Sequence, residues 1–257
     1  MARTAPAVLL TGVSRGGGIG AAVARRLAAE GVRLFITGWS PHDAGQPWGE
    51  DPEGGRGVAE ALRRDGAEVH HLDVDLADPD APRAVMSAAV AALGHVDSLV
   101  ANHARSALQS VATLTAQELD LSFAVNARAT LLLIRHLVEQ HDGRSGGRVV
   151  LFTSGQYHGA MPEELPYIAS KAVLQQLTRS LAVDLAPRGI TVNCVNPGPN
   201  DTGYASGEVR RHVEQAMPMG RWGRPEDAAR LVWWLVGGEA DWVTGQTIAS
   251  DGGWSAR

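Results

Sequence analysis

Residues 7–31 read AVLLTGVSRGGGIGAAVARRLAAEG, and this stretch decides the fold. Ala7 to Thr11 is a short, continuous apolar run, as expected of a parallel strand covered on both faces. A glycine-rich loop follows, with Gly12, Gly18 and Gly20 as its fixed points. Beyond it AAVARRLAAEG has helical spacing and ends at Gly31, a residue suited to closing a helix. Strand, glycine loop and helix in that order make a phosphate site. Glycine lets the backbone approach the ligand, while the helix start offers unpaired N–H groups and the positive end of its dipole.

A second stretch, SGQYHGAMPEELPYIASK over 154–171, carries the chemistry. Tyr167 and Lys171 stand four apart, and Ile168, Leu174, Leu177, Leu181 and Leu185 continue a helical pattern. Residues four apart share a helix face, so the ammonium is expected beside the phenol. A neighbouring cation favours phenolate and lowers a pKa that starts near ~10. Tyr167 is thereby a candidate general acid/base for a proton on oxygen. Ser154 ends the apolar run VVLFTS thirteen residues upstream of Tyr167, and Asn126 is a polar amide within the helical run FAVNARATLLLI.

With these features the chain resembles the short-chain dehydrogenase/reductase family from Thr11 to about Gly253. The resemblance implies a single Rossmann-type, doubly wound α/β domain over 1–257, with about seven parallel strands flanked by helices. It implies a catalytic tetrad at Asn126, Ser154, Tyr167 and Lys171, with Asn126 holding a water on a path from the lysine to solvent. A structural hydrogen bond to backbone is compatible with that role. Two departures stand out. The family's Thr-Gly-x-x-x-Gly-x-Gly loop is two residues longer here, since five residues separate Thr11-Gly12 from Gly18-Ile19-Gly20. The family's Asn-Asn-Ala-Gly becomes Ala101-Asn102-His103-Ala104.

The implied cofactor is a nicotinamide dinucleotide held by Gly12, Ser14, Arg15, Gly18, Ile19, Gly20, Trp39, Asp75, Leu76, Asn102, Tyr167, Lys171, Pro197, Gly198 and Thr202. The second strand, VRLFITGW, ends without an acidic residue at Gly38, Trp39 or Ser40, and Arg15 stands in the glycine loop. A 2′-phosphate is not repelled there, which favours NADP(H) over NAD(H); Asp43 nearby weighs the other way. Asp75-Leu76 is expected against the adenine, with Asp73 as a competitor. His103, Gln156, Tyr157 and His158 are expected to line the substrate pocket, although His103 is equally well read as a packed loop residue. Residues 40–55 read as an inserted loop in which Trp48 either covers the adenine end or pins the loop down, and 199–220 as a substrate lid.

Composition narrows the remaining possibilities. A chain of 257 residues with 44% hydrophobic and 20% charged residues is ordinary for one globular domain. A net charge of −5 gives no electrostatic reason for a nucleic-acid partner. The single Cys194 suits a reducing compartment. The amino-terminal MARTAPAVLLTG is short for a secretory signal, and no apolar run reaches a membrane span, so a cytoplasmic protein is expected. No metal is expected, since His70 and His71, adjacent on a strand, face opposite ways. The resemblance is nearest to 3-oxoacyl-carrier-protein reductases and related secondary-alcohol dehydrogenases, which implies a ketoreductase acting on a 3-oxoacyl group or a small-molecule ketone. Arg144, Arg148 and Arg188 make an acidic acyl-carrier protein a conceivable partner. Oxidation of an alcohol, or cofactor binding without chemistry, are the alternatives. The resemblance implies a homo-oligomer, dimer or tetramer.

Overall fold

Along β1 (Ala7–Thr11), Ala7 and Leu9 face one side of the sheet while Val8 and Leu10 face the other, and all four are buried. This is what the unbroken apolar run requires: a strand between two helical layers alternates its side chains and needs both faces covered. The computed structural model describes residues 5–205 and 207–257. Residues 1–4, which entered the amino-terminal reading, and residue 206 of the expected lid lie outside the described residues.

The described residues form one seven-stranded parallel sheet in the order β3-β2-β1-β4-β5-β6-β7. The other strands are β2 (Arg33–Gly38), β3 (Val69–Asp73), β4 (Ser98–Ala101), β5 (Gly147–Phe152), β6 (Ile190–Asn196) and β7 (Thr247–Ala249). On one face, α1 (Ile19–Ala29), α3 (Gly54–Arg64) and α9 (Pro225–Val236) enclose a core that includes Val23, Leu27, Val58 and Val232. On the other, α4 (Ala81–Leu93), α6 (Ala129–Gln140) and α7 (Leu165–Leu185) enclose Val85, Leu133, Leu137 and Leu174. The chain reverses its direction of travel across the sheet between β1 and β4, so a crevice opens beyond their carboxyl ends.

Three expectations change. Residues 40–55 are not all loop: α2 (Ser40–Ala44) follows β2 at once, with Pro41 in its first turn, and α3 begins at Gly54. The long helix bearing Asn126 is not uniformly α-helical, because a π-helical stretch (Phe123–Arg128) joins α5 (Ala116–Ser122) to α6. The joined helix also contradicts the expectation on membrane-length segments. Ala116–Gln140 is long and apolar enough, at mean hydropathy 1.3, to cross a membrane by composition. Here Leu133, Ile134 and Leu137 spend that apolar surface on the core.

Candidate active site

The glycine loop shows why its glycines stand where they do. Gly12 has φ +77°, and a Cβ there would lie 2.6 Å from the Cα of His103. A Cβ on Gly20 would lie 2.2 Å from the Gly12 carbonyl oxygen. Asn102 completes this contact, its Nδ2 donating to the Gly12 carbonyl at 2.9 Å and so tying the end of β4 to the loop after β1. Helix α1 starts at Ile19 with Gly18 as its cap and no side chain capping it, which leaves its first N–H groups for an anion.

A cleft of about 530 Å³ lies over these strand ends. Gly12, Ser14, Arg15, Gly18, Ile19, Gly20, Trp39, Asp75, Leu76, Asn102, Tyr167, Pro197, Gly198 and Thr202 all line it. Of the dinucleotide contacts expected from sequence, only Lys171 lies behind the wall. Asp75 faces the cleft and its Oδ1 accepts from the Ala77 amide at 2.8 Å, whereas Asp73 is exposed with an oxygen 3.3 Å from His71 Nε2. Of the two carboxylates, only Asp75 is on the cleft wall.

Arg15 occupies the β2 end of the cleft. Its Nε lies 3.3 Å from Asp43 Oδ1, its Nη1 donates to the Thr202 carbonyl at 3.0 Å, and its guanidinium sits 5.0 Å from the Trp48 ring centre. Ser14 and Trp48 both donate to Asp43, the indole at 2.8 Å. Trp48 thus pins the 40–55 segment and lines the cleft at once.

At the opposite end, just past β5, stands Ser154, whose hydroxyl is close enough to the Tyr167 phenol to favour its ionised form. Lys171, 2% exposed, donates from Nζ to the Phe152 carbonyl at 3.1 Å and to the His103 carbonyl at 3.4 Å. Burial lowers its pKa to about 8, opposed by the nearby Cys194. For Tyr167 the structure reverses the expected direction: burial pushes the phenol pKa up and the charge of Glu164 adds to this, with the Ser154 hydroxyl opposing. The ammonium, spent on two carbonyls inside the protein, does not overcome desolvation of the phenolate.

Asn126 is fully buried, and its amide is used structurally. Its Oδ1 accepts from the Arg105 amide at 2.6 Å, and its Nδ2 donates to the Arg105 carbonyl at 2.9 Å and the Ser170 hydroxyl at 2.8 Å. It clamps the segment after β4 to α7 from within the π-helical stretch, an irregularity common at functional sites. Arg105 itself is forked onto Glu118, at 2.7 and 2.8 Å.

The expected substrate residues fare less well. The His103 ring is packed inside, its Nδ1 2.6 Å from Thr11 Oγ1 and its Nε2 3.0 Å from the Val125 carbonyl, and burial brings its pKa to about 3. Its place on the cleft wall comes with an imidazole already engaged. Gln156 turns back onto Thr153 and the Ser154 amide; the Tyr157 and His158 rings lie against each other, centres 3.8 Å apart and tilted by 44°, and none of the three is on the cleft wall. Their places are taken by Met161, Glu164 and Tyr204. Glu164 was open to detection as one of two acids, with Glu163, a helical turn before Tyr167; Tyr204 had only the signal of an aromatic in a polar stretch. Arg148 is also corrected: it is buried in β5 and paired with Asp241, so it presents no charge to a carrier protein.

Residues 12–255 match the family model described as enoyl-(acyl carrier protein) reductase. An uncharacterized oxidoreductase of Bacillus subtilis, YjdA, is 38% identical over 95% of both chains. A short-chain dehydrogenase/reductase from Serratia marcescens superposes with a TM-score of 0.85 at 32% identity, covering 97% of this chain and 98% of its own. The angucycline C-6 ketoreductase LanV with bound NADP gives 0.86 at 28% identity, covering 98% and 96%.

Proposed function

The chain belongs to the short-chain dehydrogenase/reductase family of oxidoreductases, and from that premise we propose that it is an NADPH-dependent ketoreductase acting on a small-molecule ketone. The observation that carries this reading is the Ser154–Tyr167 hydroxyl pair, set at the far end of a cleft that begins at the uncapped start of α1. The residues present fit a dinucleotide. Gly12 and Gly20 allow close backbone approach, the α1 amides suit a pyrophosphate, and Asp75 suits an adenine amino group. Arg15 supports the choice of NADPH, since a guanidinium at the β2 end suits a 2′-phosphate. Asp43 is already engaged by Ser14, Arg15 and Trp48, so its charge is not free to reject one. The NADP bound in LanV points the same way.

NADPH, when bound, supplies the hydride that adds to the carbonyl carbon. Ser154 holds the carbonyl oxygen by a hydrogen bond, and Tyr167 gives that oxygen its proton as the C=O π bond breaks. Its raised pKa keeps Tyr167 protonated at neutral pH, the state that a reductase needs in its acid. Lys171 stabilises the phenolate left behind, and the part-exposed Tyr167 regains its proton from solvent through the cleft. NADPH oxidation followed at its absorbance band over a panel of aryl, cyclic and β-keto ester ketones tests the reading. Tight NADPH binding without turnover on any ketone would refute it.

A further inference from the structure

Glu164 stands out in the substrate half of the cleft. It occupies the cap position of α7, yet its carboxyl group caps nothing, and among the described residues no side chain pairs with it. Asp43 and Asp75, the other acids on the cleft wall, lie toward the β2 and β3 ends and are hydrogen-bonded. Glu164 is half-buried close to Tyr167, in a cleft whose wall also carries the apolar side chains of Leu121, Val125 and Met161 and the ring of Tyr204. An acceptor held without a donor in such surroundings is costly, and burial already pushes its pKa up. A ligand that fills the apolar space and brings a donor removes that cost.

We propose that Glu164 is a specificity-determining residue that accepts a hydrogen bond from a hydroxyl group carried by the substrate, so that the preferred substrates are hydroxylated ring ketones. This deepens the ketoreductase reading and rests on it. A neutral hydroxyl is favoured over an ammonium, because Arg105 on the cleft wall and the buried Lys171 behind it already place positive charge there. A carboxylate is disfavoured twice, by repulsion from Glu164 and by loss of its own hydration. A hydrogen bond to a charged acceptor, absent from the unsubstituted ketone, changes kcat/KM about tenfold to a hundredfold.

The test uses tetralone, its monohydroxylated isomers and a carboxylated analogue with the wild-type enzyme, Glu164→Gln and Glu164→Leu. The expected result is that at least one hydroxylated isomer exceeds tetralone by tenfold or more in kcat/KM with wild type. That advantage should shrink in Glu164→Gln and vanish in Glu164→Leu, while tetralone itself is reduced as well or better and the carboxylated analogue improves in both variants. Unchanged NADPH affinity in both variants, with a melting temperature no lower than that of wild type, shows that the fold and cofactor site are intact. Equal kcat/KM for all the neutral ketones with wild type, or a hydroxyl preference that survives Glu164→Leu, would overturn this inference and leave the ketoreductase reading standing. Reduction of none of these ketones, nor of any in the wider panel, would overturn both.

Discussion

Replacing Lys171 by Met should stabilise the cofactor-free protein while destroying it as a catalyst. The side chain is 2% exposed, and its pKa falls from the ordinary 10.5 to about 8 because burial penalises the ammonium. At about 1.4 kcal/mol per pH unit, that fall amounts to about 3 kcal/mol of unfavourable free energy carried by the folded state below pH 8. Met removes the charge at nearly constant volume but leaves the Phe152 and His103 carbonyls without their donor, at a cost of about 1–2 kcal/mol. The net gain is about 1–2 kcal/mol, or a melting temperature higher by roughly 3–6 °C for a chain of this size. The sign of its pH dependence follows from proton binding. Between pH 8 and 10.5 the unfolded lysine keeps a proton that the folded one gives up, so wild-type stability from this group rises with pH. The advantage of Lys171→Met should therefore be full at pH 7 and shrink toward pH 10. Urea unfolding at both pH values, without cofactor, measures it. A variant less stable than wild type at pH 7, or a difference independent of pH, would refute the reasoning.

Further substitutions probe other parts of the site. Arg15→Ala should raise the Kd for NADPH by about tenfold or more, through loss of a charge-assisted contact, and change that for NADH far less, read by fluorescence titration with each cofactor. Asn126→Ala removes a buried amide and leaves the Arg105 backbone groups and Ser170 without partners, so unfolding free energy should fall by about 2–4 kcal/mol. Gly12→Ala forces a side chain into positive φ and against His103, and should yield little folded protein at expression temperature, judged by gel filtration. Ketone reduction should be level through neutral pH and decline as pH passes about 8, where Lys171 loses its charge, in a kcat/KM profile.

The central strands were legible because they are buried on both faces and so read as unbroken apolar runs; Ala7–Thr11 falls where the residues place it, whereas β5 ends at Phe152, two residues before the Ser154 that closes its run. The nucleotide half of the cleft was legible for a related reason: Gly12 and Gly20 are fixed by backbone contacts that no other residue permits. The substrate half was not. His103 breaks the family pattern and invites a pocket role, yet a hydroxyl from Thr11 and a carbonyl from Val125 meet its ring only because strand and helix pack there. Gln156, Tyr157 and His158 follow Ser154 closely, but a 3-10 turn over Gly155–Tyr157 directs them elsewhere. The direction of the Tyr167 pKa depended on burial, which spacing along a helix does not report. The π-helical stretch around Asn126 likewise has no signal in its apolar periodicity.

The central claim is that Tyr167 delivers the proton. The direct test is single-turnover reduction of a ketone by Tyr167→Phe loaded with NADPH, with cofactor affinity measured on the same sample. The account predicts affinity within a few-fold of wild type and a rate lower by at least about 10²- to 10⁴-fold, the usual contribution of a positioned acid. A variant that binds NADPH and reduces the ketone at close to the wild-type rate would contradict it.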